Sequence, residues 1–198
     1  MTDDLRVCFV GDSFVAGTGD PEHRGWVGRL AASATAAGRV LTLYNLGVRR
    51  QTSQEVAARW AGECAARLPP AADCRVVVSV GVNDATEENG QPRVAPEQSR
   101  RALAAILDEA TARVWPVLVV GPPAVADPAH NGRTAHIDGA FAAICRTRHV
   151  PYVSVLAALT RNATWMAEVA EGDGAHPGAE GYAALAELVR PAWSPWVG

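Results

Sequence analysis

Apolar and polar positions follow two different rhythms along the chain. Short, almost wholly apolar runs rich in Val and Leu recur at Arg6–Val10, Val40–Asn45, Arg75–Val80, Val117–Val120 and Tyr152–Val155. Runs so short, several of them without a polar face, predict strands covered on both sides, as a parallel sheet requires. The longer segments between them are amphipathic and predict helices near residues 25–37, 53–68, 97–114 and 135–148, with a last one near 179–190. Thr52 and Glu55 can form a capping box ahead of the second helix. Pro96 suits the first turn of the third. Strand and helix alternate throughout, which predicts an α/β fold with a parallel sheet and helices on both faces. No internal repeat, low-complexity tract or linker interrupts the pattern, and 198 residues suit one domain, 1–198. The C-terminal stretch PAWSPWVG either packs Trp193 or Trp196 against the body or forms a loose tail.

Composition narrows the class. Hydrophobic residues at 48% and charged residues at 20% fit a soluble domain with a true core. A net charge of -3 gives no field that would draw nucleic acid or an anionic membrane. All 18 basic residues are arginine, so neither Schiff-base chemistry nor a phosphate-cradling lysine is on offer. The start, MTDDLRVCFV, lacks the basic region and long apolar stretch of a signal peptide. No run approaches the ~20 apolar residues of a membrane span. Cys8, Cys64, Cys74 and Cys145 have no metal-ligand spacing, and His23, His130, His136 and His149 match none either. The expectation is a cytoplasmic protein with buried, reduced thiols and no metal or organic cofactor.

Chemistry concentrates in a few short stretches. In VCFVGDSFVAGTGD a buried strand ends at Val10, Gly11 permits a turn, and Ser13 stands where a helical turn should begin. Ligands of an open α/β sheet bind outside the carboxyl ends of its strands, so Ser13 lies at the functional edge. A helix start there also offers free backbone N–H groups to developing negative charge. Gly11 and Gly17 are one residue too far apart for a P-loop, and no lysine follows. Gly11, Gly17 and Gly19 do not make a dinucleotide fingerprint, and Val15 stands where a hydrolase elbow needs glycine. Taken alone, the G-D-S is equally well explained by a serine capping a helix.

Near the other end, EGDGAHPGAEGY holds Asp173 and His176 three residues apart, among Gly172, Gly174 and Pro177. A turn there can aim the carboxylate at one ring nitrogen and leave the other free to take a proton. A loop aspartate and a solvated capping histidine would account for the same residues. Asn45-Leu46-Gly47 and Gly81-Val82-Asn83-Asp84 follow the second and third strands. A glycine N–H and an asparagine amide are suitable oxyanion donors, although each stretch is also an ordinary turn. What joins them is place: Ser13, Gly47 and Asn83 follow successive strands, so one sheet edge would gather them.

Gly11-Asp12-Ser13, Gly47, Gly81-Val82-Asn83-Asp84 and Asp173-Gly174-Ala175-His176-Pro177 together resemble, in order, the four motif blocks of the SGNH/GDSL hydrolases. The resemblance implies a flavodoxin-like three-layer α/β/α sandwich with a five-stranded parallel sheet ordered 2-1-3-4-5. It implies Ser13 as nucleophile, His176 as general base and Asp173 as its orienting acid. The oxyanion hole would be the Ser13 N–H, the Gly47 N–H and the Asn83 side chain. The first block is GDSF rather than GDSL, a conservative change. The implied activity is hydrolysis of a small-molecule carboxylic ester through an acyl-enzyme. Transfer of the acyl group to an alcohol by the same residues is the nearest alternative. A non-catalytic carbohydrate- or lipid-binding module on the same fold is the other. Arg49 and Arg50, just after Gly47, could meet a polar or anionic substrate group; Trp165 and Met166 could line an acyl pocket, although core packing explains them as well; and His130 and His136 lie in a loop-to-helix region that could border the site. Asp12 and Asp84 are expected to fix turns rather than to act on substrate. Oligomeric state is not legible.

Overall fold

A computed structural model of the chain describes residues 4–198, and the acidic start Met1–Asp3 lies outside them. The main sheet holds five strands: β1 (Leu5–Gly11), β2 (Leu41–Gly47), β3 (Asp73–Ser79), β4 (Val117–Val120) and β5 (Tyr152–Val153). All neighbours are parallel and the order is 2-1-3-4-5. Alternate residues of each strand feed two separate cores. Val7 and Phe9 of β1, Val77 of β3 and Leu118 of β4 pack on one face. Cys8, Val10, Val76, Val78, Val117 and Val119 pack on the other. Helices α2 (Gly25–Ala36) and α8 (Ala179–Trp196) cover the first face, while α3 (Ser53–Ala65), α4 (Pro96–Ala112) and α5 (Pro128–Thr147) cover the second. The fold is therefore the expected three-layer α/β/α sandwich. A four-residue helix α1 (Ser13–Ala16), a 3₁₀ turn Asn83–Ala85, a two-residue hairpin at 87–92, α6 (Leu156–Leu159) and α7 (Ala163–Glu171) complete the described residues.

Local signals account for most boundaries. The Thr52–Glu55 capping box forms as expected, and Pro96 opens α4. The cysteines are all buried and unpaired. Three helices depart from the pattern. Helix α5 begins at Pro128 rather than near 135, because the Asp127 carboxylate accepts the Ala129 N–H at 2.8 Å and proline follows at the first position. Helix α7 was not anticipated; the Asn162 side chain starts it by accepting the Trp165 N–H at 2.8 Å. Helix α8 runs on through Pro191 and Pro195 to Trp196. An interior proline costs a helix about 3 kcal/mol. Both prolines are exposed, however, while Val189 and Trp193 continue the buried face, and burying each such side chain returns roughly 1.5–3 kcal/mol. Trp193 thus packs back on the body, with Trp196 half-buried beside it.

Register decides where the chemistry gathers. Gly11 lies beside Gly47 on one side and Ser79 on the other, so β1, β2 and β3 end level with one another. The segments that follow these three strands emerge together at one edge.

Candidate active site

Ser13 is the first residue of α1. Asp12 caps that turn, its Oδ1 accepting the Phe14 N–H at 3.0 Å. The Ser13 N–H has no partner among the described residues and faces the open start of the turn. Ser13 is buried, and its Oγ lies 2.8 Å from His176 Nε2.

His176 and Asp173 come from the loop between α7 and α8. Asp173 Oδ1 accepts the N–H groups of Ala175 at 3.0 Å and His176 at 2.8 Å, which folds the loop into a turn. Its Oδ2 lies 2.7 Å from His176 Nδ1. Burial alone would raise the Asp173 carboxyl, but the His176 backbone and ring and the Ala175 N–H outweigh it and hold it at about 2. An ionised carboxylate only accepts, so Nδ1 carries the proton and Nε2 is left to accept from the serine hydroxyl. The ring is also held laterally. The Phe14 ring lies 4.9 Å from it, centroid to centroid. From below, Gly19 (φ +91°) approaches so closely that a methyl there would sit 2.7 Å from the Pro177 carbonyl oxygen.

The loops after β2 and β3 bring polar groups to the same edge. The Asn83 side chain donates from Nδ2 to Asp12 Oδ2 at 3.2 Å and to the Gln51 carbonyl at 3.0 Å. Asp84 is fully buried and accepts the Ser53 N–H at 2.7 Å as well as the Ser53 hydroxyl, which pins the turn carrying Asn83. Gly47 departs from its expected part. Its N–H donates to Asn45 Oδ1 at 3.0 Å, so it is not a free donor. What Gly47 supplies is closeness: a methyl there would lie 2.2 Å from the Ala16 nitrogen and 2.7 Å from the Asp12 carbonyl oxygen, forcing α1 off β2. The unpaired backbone N–H groups of this turn belong to Arg49 and Arg50. Arg50 adopts a left-handed conformation (φ +66°), and its carbonyl accepts from Arg93 Nη1 at 2.8 Å.

These groups border a cleft of about 250 Å³. Phe14, Val82, Val125 and Ala175 supply its apolar lining, and Arg49, Arg50 and Asn83 line it too. Arg49, a candidate substrate contact, borders the cleft. Trp165 does not: it is fully buried behind Phe14, ring on ring at 6.3 Å, and its indole N–H donates to the Ala124 carbonyl at 3.0 Å. It supports the wall rather than forming it. His130, which the sequence placed in a region able to border the site, lines the cleft, whereas Gln51, a partner of Asn83, escaped the sequence reading. Gln51 acts through its backbone carbonyl, which carries no signature. His130 lies on α5 with Nε2 3.0 Å from the Val82 carbonyl, and burial lowers its pKa, which favours the neutral ring donating to that carbonyl.

Residues 9–184 match the family described as GDSL-like Lipase/Acylhydrolase. The chain belongs to this family. Among solved structures, this GDSL-family chain is similar to the lipase/acylhydrolase from Enterococcus faecalis, with TM-score 0.80 and 20% identity over 97% of this chain and 96% of that one. It is similar to TesA, with TM-score 0.79 and 25% identity over 96% and 99% of the two chains. It is also similar to Axe2, an acetylxylan esterase from Geobacillus stearothermophilus, with TM-score 0.78 and 18% identity over 96% and 94%. No curated protein matches the sequence. This GDSL-family chain is a carboxylic ester hydrolase. Among the described residues, no helix is long and apolar enough to cross a membrane.

Proposed function

We propose that the chain hydrolyses a carboxylic ester through an acyl-enzyme, with Ser13 as nucleophile, His176 as general base and Asp173 as the acid that orients it. The observation that carries this reading is the continuous relay from Ser13 Oγ to His176 Nε2 at 2.8 Å and from Nδ1 to Asp173 at 2.7 Å. As Ser13 attacks the ester carbonyl, Nε2 takes its proton, and the ionised Asp173 stabilises the imidazolium so formed. His176 then protonates the departing alcohol. Water, activated by the same ring, releases the acid. The oxyanion would rest on the Ser13 N–H, the Asn83 amide once it turns one N–H from Asp12 or the Gln51 carbonyl toward the substrate, and a backbone N–H of the turn after β2. Gly47 would have to release Asn45 to serve as that third donor, whereas Arg49 and Arg50 have free N–H groups on the same turn. The small cleft and its short apolar wall favour a short acyl group, with Arg49 available to a polar or anionic part of the substrate.

A hydrolysis screen over aryl esters of graded chain length, acetylated sugars, thioesters and phospholipids tests the reading. Turnover should peak at short acyl chains. Products analysed with and without an added alcohol separate hydrolysis from acyl transfer: free acid should dominate in both, and an ester of the added alcohol as main product would identify a transferase. Asn83→Ala should lower kcat by roughly 10²–10³ with the fold retained, as loss of one oxyanion donor does. A change confined to KM would mark the Asn83 amide as a ground-state binder instead.

A further inference from the structure

Among the described residues five non-glycine positions have a left-handed backbone, and Arg50 is the one of the five that borders the cleft. In that conformation a β-carbon crowds the following carbonyl, so the chain stays there only where its surroundings hold it. The hold is traced by asking where the polar backbone atoms of residues 48–52 go. The Val48 N–H donates to the Gly11 carbonyl at 3.0 Å, and the Thr52 N–H to Glu55 Oε2 at 2.8 Å, which fixes the two ends of the turn. Between them the Gln51 carbonyl accepts from Asn83 at 3.0 Å, and the Arg50 carbonyl from Arg93 Nη1 at 2.8 Å. The N–H groups of Arg49 and Arg50 are left without a partner among the described residues.

Arg93 follows the hairpin at 87–92, and its own N–H donates to the Thr86 carbonyl at 2.8 Å, closing that hairpin beside the cleft. Its side chain is only 18% exposed and has three neighbours. The Arg50 carbonyl is at 2.8 Å, Glu88 Oε1 at 3.5 Å and Glu55 Oε2 at 3.6 Å. Both carboxylates belong to half-exposed side chains at ion-pair rather than hydrogen-bond distance, and such pairs contribute little by themselves. What they do is aim the guanidinium, whose planar fork holds its donors in fixed directions, at the carbonyl. Arg59 grips the same turn elsewhere, donating to the Leu46 carbonyl at 3.0 Å and to the Gln51 side chain. Among the described residues Arg93 is therefore the one side chain that holds the Arg50 carbonyl.

We propose that Arg93 is a positioning residue for the reaction, acting through Arg50: by holding that carbonyl it keeps the turn after β2 in the left-handed conformation that leaves backbone N–H donors for the oxyanion. The proposal rests on the esterase reading above. Arg93 touches no reacting atom. Its effect belongs to the tetrahedral state, because the ground-state ester has no full negative charge for those N–H groups to meet. Without the brace the turn relaxes toward an ordinary backbone conformation and its N–H groups swing out of place. Substrate still binds, while the oxyanion loses much of one donor.

Two measurements test this: kcat and KM for an aryl acetate, and the inhibition constant of phenylboronic acid, whose tetrahedral adduct with a serine puts an anionic oxygen where the oxyanion forms. Arg93→Ala should lower kcat by roughly 10–10²-fold, less than outright loss of a donor, with KM little changed. Binding of the boronic acid should weaken by a similar factor. Guanidinium chloride, kept below denaturing concentrations, should restore both in Arg93→Ala and neither in Asn83→Ala. Arg101→Ala, which removes an exposed arginine of α4 paired with Glu97, should match wild type. A loss carried by KM, a loss of kcat that spares the boronic acid, or no restoration by guanidinium would overturn the proposal. If Arg93→Ala does not fold, Arg93→Lys decides. It keeps the charge between Glu55 and Glu88 without the planar fork, so kcat and boronic-acid binding should still fall together, and wild-type values would overturn the proposal. Equal hydrolysis by wild type and Ser13→Ala would instead overturn the esterase reading. An Arg93→Ala protein as active as wild type, beside an inactive Ser13→Ala, would overturn the role of Arg93 alone.

Discussion

Ser13→Ala should fold as wild type does and lose nearly all esterase activity, with kcat falling on the order of 10⁶-fold, as when a serine hydrolase loses its nucleophile. The structural cost is small because the hydroxyl makes one hydrogen bond, to His176, and such a bond contributes about 0.5–1.5 kcal/mol net. The Asp12 cap and the Phe14 contact with the imidazole do not depend on it. The remaining donors and the cleft would leave only ~10³–10⁴-fold acceleration over the uncatalysed rate. A fluorophosphonate probe should label wild type at Ser13 and leave the variant unlabelled. Near-normal turnover by a purified, folded Ser13→Ala protein would remove Ser13 from the mechanism.

Asp173→Asn should come next in size, lowering kcat by ~10⁴-fold with the loop intact. The two carboxylate oxygens have separate tasks, and the substitution divides them. An amide oxygen in place of Oδ1 can still accept the Ala175 and His176 N–H groups that shape the turn. The amide nitrogen then meets Nδ1 as a donor, which forces the proton onto Nε2, the nitrogen that must accept from Ser13. The variant is thus a well-formed site with the wrong tautomer. Thermal unfolding supplies a second check. A carboxyl held at about 2 against an ordinary 3.8 contributes stability that is present above pH 3.8 and lost as pH falls through 2. Wild type should therefore melt above Asp173→Asn near neutrality, and the gap should close in strong acid. An unchanged kcat would mean that Asp173 is not the partner of His176.

The sequence was most legible where one physical cause dominates. Strands β1, β3 and β4 are apolar on both faces because both faces are covered, and each was located to within a residue or two. The gathering of Ser13 and Asn83 followed from strands that end level in a parallel sheet. Illegibility had equally specific causes. Helix α8 passes through two prolines because burial of Trp193 outweighs a local penalty, a balance that propensity cannot weigh. The Gly47 N–H looked free because nothing in a glycine reveals that Asn45, two residues earlier, bends back to accept it. Trp165 has the composition of a pocket wall, yet its indole N–H found a buried carbonyl and the ring followed it inward. Arg50 in a left-handed turn is the kind of conformation for which sequence offers glycine as the sign, and here the sign is missing.

The bond between Ser13 and His176 spans 163 positions of sequence. On the proposed mechanism, a ribosome delivers the nucleophile 163 residues before the base. A nascent chain can complete every strand of its sheet by Val153 and still have no group to deprotonate its serine. Only when the segment carrying α7 and α8 is released and docks do the two ends of the chain meet. On the proposed mechanism, hydrolysis therefore waits until α7 and α8 have docked.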